Sequence, residues 1–330
     1  MQQYFQTNKE KGTEMDGKRK TVIEVKNAKK IYHMGQEKIR AVDGVSFTVE
    51  EGEFCCLLGT SGSGKSTLLN LMAGIEKLTK GEVIIKGKSI GKMSENKLAK
   101  FRQDNLGFVF QSYNLIGSMT ALENVEFPLV FKRVSAKKRR KLAVQMLTDV
   151  GLKGRMQHKP KEMSGGQQQR VGIARAFVAR PAIVFADEPT GNLDSRTTIE
   201  VMDMLKAMAR QNNQTVVMVT HDRKLTEYAD KIINILDGKI ESIEVQENSK
   251  EGKIPELKEN IPETASGKEN SDQKDGSEEL KPKSGFDMEY ETRKLEEAAQ
   301  KLLDEEKEAE SKEVDDGFEK ITEKAESYNR

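Results

Sequence analysis

The chain has 330 residues, 35% hydrophobic and 33% charged, which is room for one large or two ordinary domains but too polar for all of it to be packed. No apolar run approaches the ~18 residues a membrane span needs, and Met1 to Lys20 lacks the apolar core of a secretory leader, so a cytosolic chain is expected. The net charge of +1 conceals a division: residues 1–245 carry 40 basic and 28 acidic side chains and residues 246–330 carry 15 and 26, a body near +12 and a tail near −11.

Residues 1–20 read as a polar, disordered leader. Val22, Ile23, Val25, Ile31 and Tyr32 mark short strand-like runs, Ala41 to Val49 alternates into a turn at Glu50 to Gly52, and Gly81 to Gly87 is another strand. Glu53 to Leu58 is a short apolar run that reads as a buried strand, and Leu68 to Ala73 reads as a helix. Cys55 and Cys56 are neighbours in that strand, so they point to opposite faces and are expected as unbridged core residues. Between strand and helix lies Gly59, Thr60, Ser61, Gly62, Ser63, Gly64, Lys65, Ser66, Thr67, which fills the pattern Gly, any four, Gly-Lys-Ser. A strand, a glycine-rich turn and a helix N-terminus make a phosphate cradle. Gly62 and Gly64 let backbone N–H groups approach an anion, Lys65 would reach the β- and γ-phosphates of a nucleotide, and the Ser66 hydroxyl would take Mg²⁺.

From about Ser94 to Met163 the reading is mainly helical, with Ser94 a candidate cap and Gly107 to Gln111 an intervening strand. Thr120 stands three residues before Glu123, the spacing of a capping box. Ser135 to Val150 places Leu142, Val144, Met146, Leu147 and Val150 on a broad apolar face and stops at Gly151. Seven basic residues between Lys132 and Lys141 are read as a solvated face, with anionic lipid as the alternative; no aromatic interleaves them, which argues against nucleic acid. Ala182 to Glu188 and Thr215 to His221 are buried strands separated by a helix from Ser195 to Arg210, with Ile199, Met202, Leu205 and Met208 along one side. Such runs without alternation indicate a parallel sheet covered on both faces. Ile232 to Leu236 and the turn Asp237-Gly238 close the fold near Val245. Residues 246–330 are too poor in apolar side chains to offset ordering entropy, although Tyr290 to Glu310 could form a helix with a narrow apolar stripe, read as a lone solvated helix with docking on another protein as the alternative.

Five further elements follow the phosphate loop: Gln111 at a strand end, Met163-Ser164-Gly165-Gly166-Gln167 opening a helix, Asp187-Glu188 ending a strand, Gly191 to Asp194, and His221. In this order they resemble an ATP-binding-cassette ATPase over residues 21–245. The wording of Phe110 to Leu115, of Ser164 to Arg170 and of Ala186 to Ser195 resembles the macrolide-export and lipoprotein-release group, whose neighbours include antimicrobial-peptide exporters and cell-division ATPases. The resemblance implies an α/β phosphate-loop fold with a mainly parallel core sheet, an antiparallel β subdomain and a helical subdomain near 94–163.

It also implies roles. Asp187 would hold Mg²⁺ with Ser66 and Gln111, Glu188 would polarise the attacking water, and His221 would bond the γ-phosphate, whereas His33 and His158 are bystanders. Tyr32 matches the adenine-stacking position. Ser164, Gly165, Gly166, Gln167 and Asp194 would meet the ATP held by a second copy, in a head-to-tail homodimer coupled to a separately encoded membrane permease on the inner face of the cell membrane. Thr60 stands where proline is frequent and Met163 where leucine is usual; neither removes a donor or a charge. A cassette acting on nucleic acid or ribosomes is the alternative, disfavoured because such relatives usually carry a duplicated cassette or a long insertion. A regulatory module without turnover is disfavoured by Glu188 and His221 together.

Overall fold

The computed structural model describes residues 20–34, 37–246, 249, 250 and 252, and of Met34 and Glu37 the backbone alone. Alternating residues build two long strands, β1 (Thr21–Met34) and β2 (Glu37–Glu50), paired antiparallel. β1 is therefore one strand rather than the separate short runs expected, because register shifts, one of them beside Asn27 at φ 46°, keep it paired through its polar stretch. The buried run forms β3 (Phe54–Leu58), and the phosphate-loop segment leads into α1 (Lys65–Met72). β4 (Lys80–Ile85) and the short β5 (Lys88–Ser89) complete a four-stranded antiparallel sheet ordered β2-β1-β4-β5.

Next come α2 (Glu95–Asn105) and β6 (Leu106–Phe110). Ser94 occupies the cap position of α2, but its hydroxyl makes no capping bond. α3 (Ala121–Phe131) carries the expected capping box of Thr120 and Glu123. In α4 (Ala136–Asp149) the buried positions are Arg139, Ala143 and Leu147, while Val144 is exposed. Leu142, Met146, Leu147 and Val150 pack on the core as expected, and of the five residues Val144 alone turns outward, because positions two apart do not share a helix face. α5 (Gly165–Val178), β7 (Ile183–Asp187), α6 (Ser195–Gln211), β8 (Thr215–Thr220), β9 (Lys231–Leu236) and β10 (Lys239–Val245) follow. On α6, Met202, Leu205 and Met208 are buried, but Ile199 stands exposed at the first turns.

The second sheet runs β10-β9-β3-β8-β7-β6, parallel except for β10. One face packs Cys56, Val184, Ala186 and Met218 against α3 to α6. The other packs Cys55, Leu57, Phe185 and Val219 against the antiparallel sheet, α1 and α2. The adjacent cysteines thus enter opposite cores, both as free thiols. Burial drives the Cys55 thiol far up and pushes that of Cys56 up to about 12.

The basic run is only partly a solvated face. Lys132 Nζ donates to the Ala179 carbonyl at the end of α5 (2.9 Å), Arg139 is buried and donates to Val134 O (3.4 Å), and Arg140 lies 3.9 Å from Glu126. Long cationic side chains cover apolar surface and find the free carbonyls of a helix end. Packing also continues past Val245: Ser249 donates to Asp230 (2.6 Å) and Lys250 to the Tyr228 hydroxyl (2.7 Å). The leader and the acidic stretch with residues 290–310 lie outside the described residues.

Candidate functional site

Four parallel strands release their chains at one edge, the position where open α/β sheets present ligand-binding groups. β3 leads into Gly59–Thr67, β8 into His221, β7 ends in Asp187 and Glu188, and β6 in Gln111. Within the loop, Gly62 and Gly64 have φ of 81° and 97°. A Cβ on Gly64 would collide with the Ala41 carbonyl oxygen, so the turn closes only with glycine. Gly64 caps α1 without a side chain, and no acid occupies the first turn, leaving the helix N–H groups free for an anion.

The Lys65 ammonium turns back onto the loop, donating to Thr60 O (2.6 Å) and Ser63 Oγ (3.4 Å). Its burial lowers the pKa, while Glu188 and Asp187 pull it back up. Ser66 Oγ donates to Asp187 Oδ1 at 3.1 Å, joining the loop to the end of β7. Burial and the neighbouring Glu188 raise the Asp187 carboxyl, and the Ser66 bond opposes them. Glu188 adopts φ 45°, costly for a non-glycine residue, and its N–H is fixed to Val219 O (3.0 Å). That backbone turn brings its carboxylate within 3.1 Å of His221 Nδ1.

Ser66 and Asp187 are adjacent hard oxygen donors, a pair that fits Mg²⁺ shared with substrate phosphates. Among the described residues no three His, Cys, Asp or Glu side chains form a metal cage of their own. Gln111 stands at the same edge, but its amide faces Asn192, with Nε2 to Oδ1 at 3.4 Å and Asn192 Nδ2 to Gln111 O at 3.1 Å. The Tyr32 phenol is bonded to Glu76, which follows α1.

Ser164, Gly165, Gly166, Gln167 and Asp194 gather elsewhere. Ser164 Oγ accepts from Gln167 N (3.3 Å) and Gln167 Oε1 from Ser164 N (3.1 Å), a capping box for α5. Asp194 caps α6 by accepting from Arg196 N, Thr197 N and Thr197 Oγ1. Gly166 presses on Thr197, whose methyl would lie 2.5 Å from an added Cβ. Among the described residues no hydrogen bond or ion pair joins this cluster to Gly59–Thr67.

Several participants carried no sequence signal. Arg175 of α5 donates to Tyr113 O (2.9 Å) and Asn114 O (2.6 Å), clamping two residues in the left-handed region just after Gln111. These partners lie 61 and 62 residues away in sequence, beyond any local pattern. A 790 Å³ groove beside them is lined by Ile75, Leu106, Phe108, Phe127, Phe131 and Arg175. Among the described residues no helix is long and apolar enough to cross a membrane.

Comparison with known proteins gives the same constellation a wider setting. The family described as ABC transporter matches residues 42–191. An uncharacterized ABC transporter ATP-binding protein of Methanocaldococcus jannaschii, MJ1508, is 50% identical over 222 residues, 67% of this chain and 99% of that protein. The lipoprotein-releasing system ATP-binding protein LolD of Pseudoalteromonas translucida is 42% identical over 219 residues, 66% of this chain and 94% of its own. Among solved structures, the dimeric post-hydrolysis state of the ATP-binding cassette MJ0796 bound to ADP and Pi matches with a TM-score of 0.64 at 44% identity, covering 68% of this chain and 98% of that one.

Proposed function

The chain belongs to the ABC transporter ATP-binding family, and from that premise we propose that it powers a separately encoded membrane permease by ATP-driven closure of a head-to-tail dimer. It is an ATP-binding ATPase. The observation that carries the reading is the presence of two phosphate-suited helix N-termini in one chain, α1 and α5, with the chemical groups gathered at only one of them. Each site in the dimer then combines Gly59–Thr67 of one copy with Ser164–Gln167 and Asp194 of the other.

Lys65 exchanges the Thr60 carbonyl for the β- and γ-phosphates of ATP. Ser66 and Asp187 would hold Mg²⁺, with Gln111 as a further ligand. Bound Mg²⁺ supplies neutralising charge at the phosphate oxygens. Glu188, fixed by its Val219 bond, polarises the attacking water, a contribution of ~10²–10⁴ in rate. His221 bonds the γ-phosphate, and Tyr32 stacks on the adenine. The apolar groove beside Gln111 supports the permease reading, since it offers a seat for a segment of a membrane partner at the inner face of the membrane.

Glu188→Gln is expected to bind ATP, to hydrolyse it poorly and to run as a dimer on gel filtration; a monomer at saturating ATP would sink the composite site. Pull-down after detergent extraction is expected to recover an integral membrane partner. Recovery of ribosomes or DNA without one would overturn the transport reading.

A further inference from the structure

We propose that Glu76, with Lys30 and Asn70 beside it, is a positioning residue for Tyr32, fixing the ring on which the nucleotide base stacks. The inference rests on the stacking reading of Tyr32 and deepens it by naming what holds the ring. Stacking contributes fully only when the ring is already oriented, because otherwise the ordering of the side chain is lost from the binding free energy.

The restraint comes from three directions. The Tyr32 phenol donates to Glu76 Oε2. The same carboxylate pairs with Lys30 Nζ at 3.2 Å and accepts from Asn70 Nδ2 at 3.3 Å. Lys30 is further anchored by its bond to Lys77 O (2.9 Å), and its ammonium sits 4.9 Å from the centroid of the Tyr32 ring. One face of the ring is thus taken by a cation, and the stacking reading puts the base on the other. Burial pushes the Glu76 carboxyl up, but bonds from Tyr32, Lys30 and Asn70 outweigh it and hold the group below its usual range. Glu76 therefore stays an acceptor for all three donors.

The same contacts tie the ring to the phosphate loop. Asn70 belongs to α1, the helix that begins at Lys65, and the backbone N–H groups of Ile75 and Glu76 both reach Asn70 O (2.9 and 3.3 Å). Glu76 and Asn70 thus link the Tyr32 ring to the helix that opens at the phosphate loop.

Calorimetric titration of the full chain with ATP and, separately, with tripolyphosphate separates base from phosphate. Glu76→Ala is expected to weaken ATP about three- to fivefold, the range of a single aromatic contact, with tripolyphosphate affinity unchanged. The KM for ATP rises by the same factor at constant kcat. Glu76→Gln, whose amide oxygen still accepts the phenol, is expected to lose less, and Glu76→Ala adds nothing in a Tyr32→Ala background. Equal weakening of ATP and tripolyphosphate by Glu76→Ala would show that Glu76 supports α1 rather than the ring, and overturns the proposal. So does an unchanged ATP affinity in Glu76→Ala when Tyr32→Ala weakens it. If Tyr32→Ala itself leaves ATP binding intact, the stacking reading fails and this inference with it.

Discussion

Asp230 offers a sharp test of how the cassette is held together. Its Oδ1 accepts from Lys206 Nζ (3.0 Å), Arg210 Nη2 (2.6 Å) and Ser249 Oγ (2.6 Å), and its Oδ2 accepts from Phe54 N (2.8 Å). Lys206 is fully buried, bonded also to Tyr228 O (2.6 Å) and lying 5.0 Å from the Phe54 ring centroid. Asp230→Ala takes the acceptor from Lys206, Arg210, Ser249 and the Phe54 N–H at once, four bonds of about 1 kcal/mol each and a loss of ~3–5 kcal/mol in all. Lys206→Met keeps the volume and leaves Asp230 with Arg210, Ser249 and the Phe54 N–H, so only ~1–2 kcal/mol is expected. Urea unfolding reads the two as midpoint shifts at constant slope. Lys206→Met as damaging as Asp230→Ala would refute the reasoning. Acid adds a second arm. Burial pushes the Asp230 carboxyl up, but bonds from Ser249, the Phe54 N–H and Lys206 leave it below its usual range. A depressed carboxyl contributes in full above the ~3.9 of an unfolded aspartate and loses its contribution as pH falls through the folded value. The gap between the parent and Asp230→Ala is therefore expected to shrink in acid.

Glu126 of α3 titrates the other way. Burial pushes its carboxyl up to about 7 against the pull of Arg140 and Arg139, so the native state holds a proton the unfolded chain has released, and stability falls as pH rises toward 7. Glu126→Gln abolishes that fall, and its Tm relative to the parent is expected to be higher at pH 8 than at pH 5; an equal difference at both would refute it. Ending the chain at Val245 instead of Gly252 removes Ser249 and Lys250, and is expected to lower Tm by about 4–8 °C; no change would make those contacts incidental. Ser164→Asp keeps a good helix cap but brings negative charge to the proposed γ-phosphate position, so ATPase activity is expected to vanish at unchanged Tm. Activity at the parent level would remove Ser164 from the site.

The sheet and the phosphate loop were legible because their signals are local. Phe54 to Leu58, Ile183 to Asp187 and Thr215 to Thr220 are apolar without alternation, and a strand buried on both faces requires that. The edge that joins Gln111, Glu188 and His221 followed from parallel strands ending together. What escaped was set by partners distant in sequence. Ile199 fits an apolar stripe yet is exposed, whereas Lys206 lies on the same helix and is buried, because Asp230 arrives from the start of β9. A charge on a helix reads as solvated until its counter-ion is seen. Tyr32 and Glu76 are 44 residues apart.

The two helix N-termini differ in a way that bears on the proposed division of each site between two chains. α1 begins at Gly64, which offers no side chain, so its first N–H groups have no local acceptor and the anion supplies one. α5 begins at Ser164, which accepts from Gln167 N while Gln167 returns the bond. This end is already satisfied on its own and is stable without nucleotide. Yet a serine that accepts one hydrogen bond still has its own O–H to give, and among the described residues no acceptor takes it. An aspartate would cap equally well and have no such proton, as Asp194 shows at the start of α6. A cap that satisfies its helix and keeps a spare donor suits a surface that waits for phosphate from outside the chain. In the proposed dimer that phosphate is the γ-phosphate of the partner copy's ATP, so the spare donor of Ser164 would have an acceptor only while the phosphate is held.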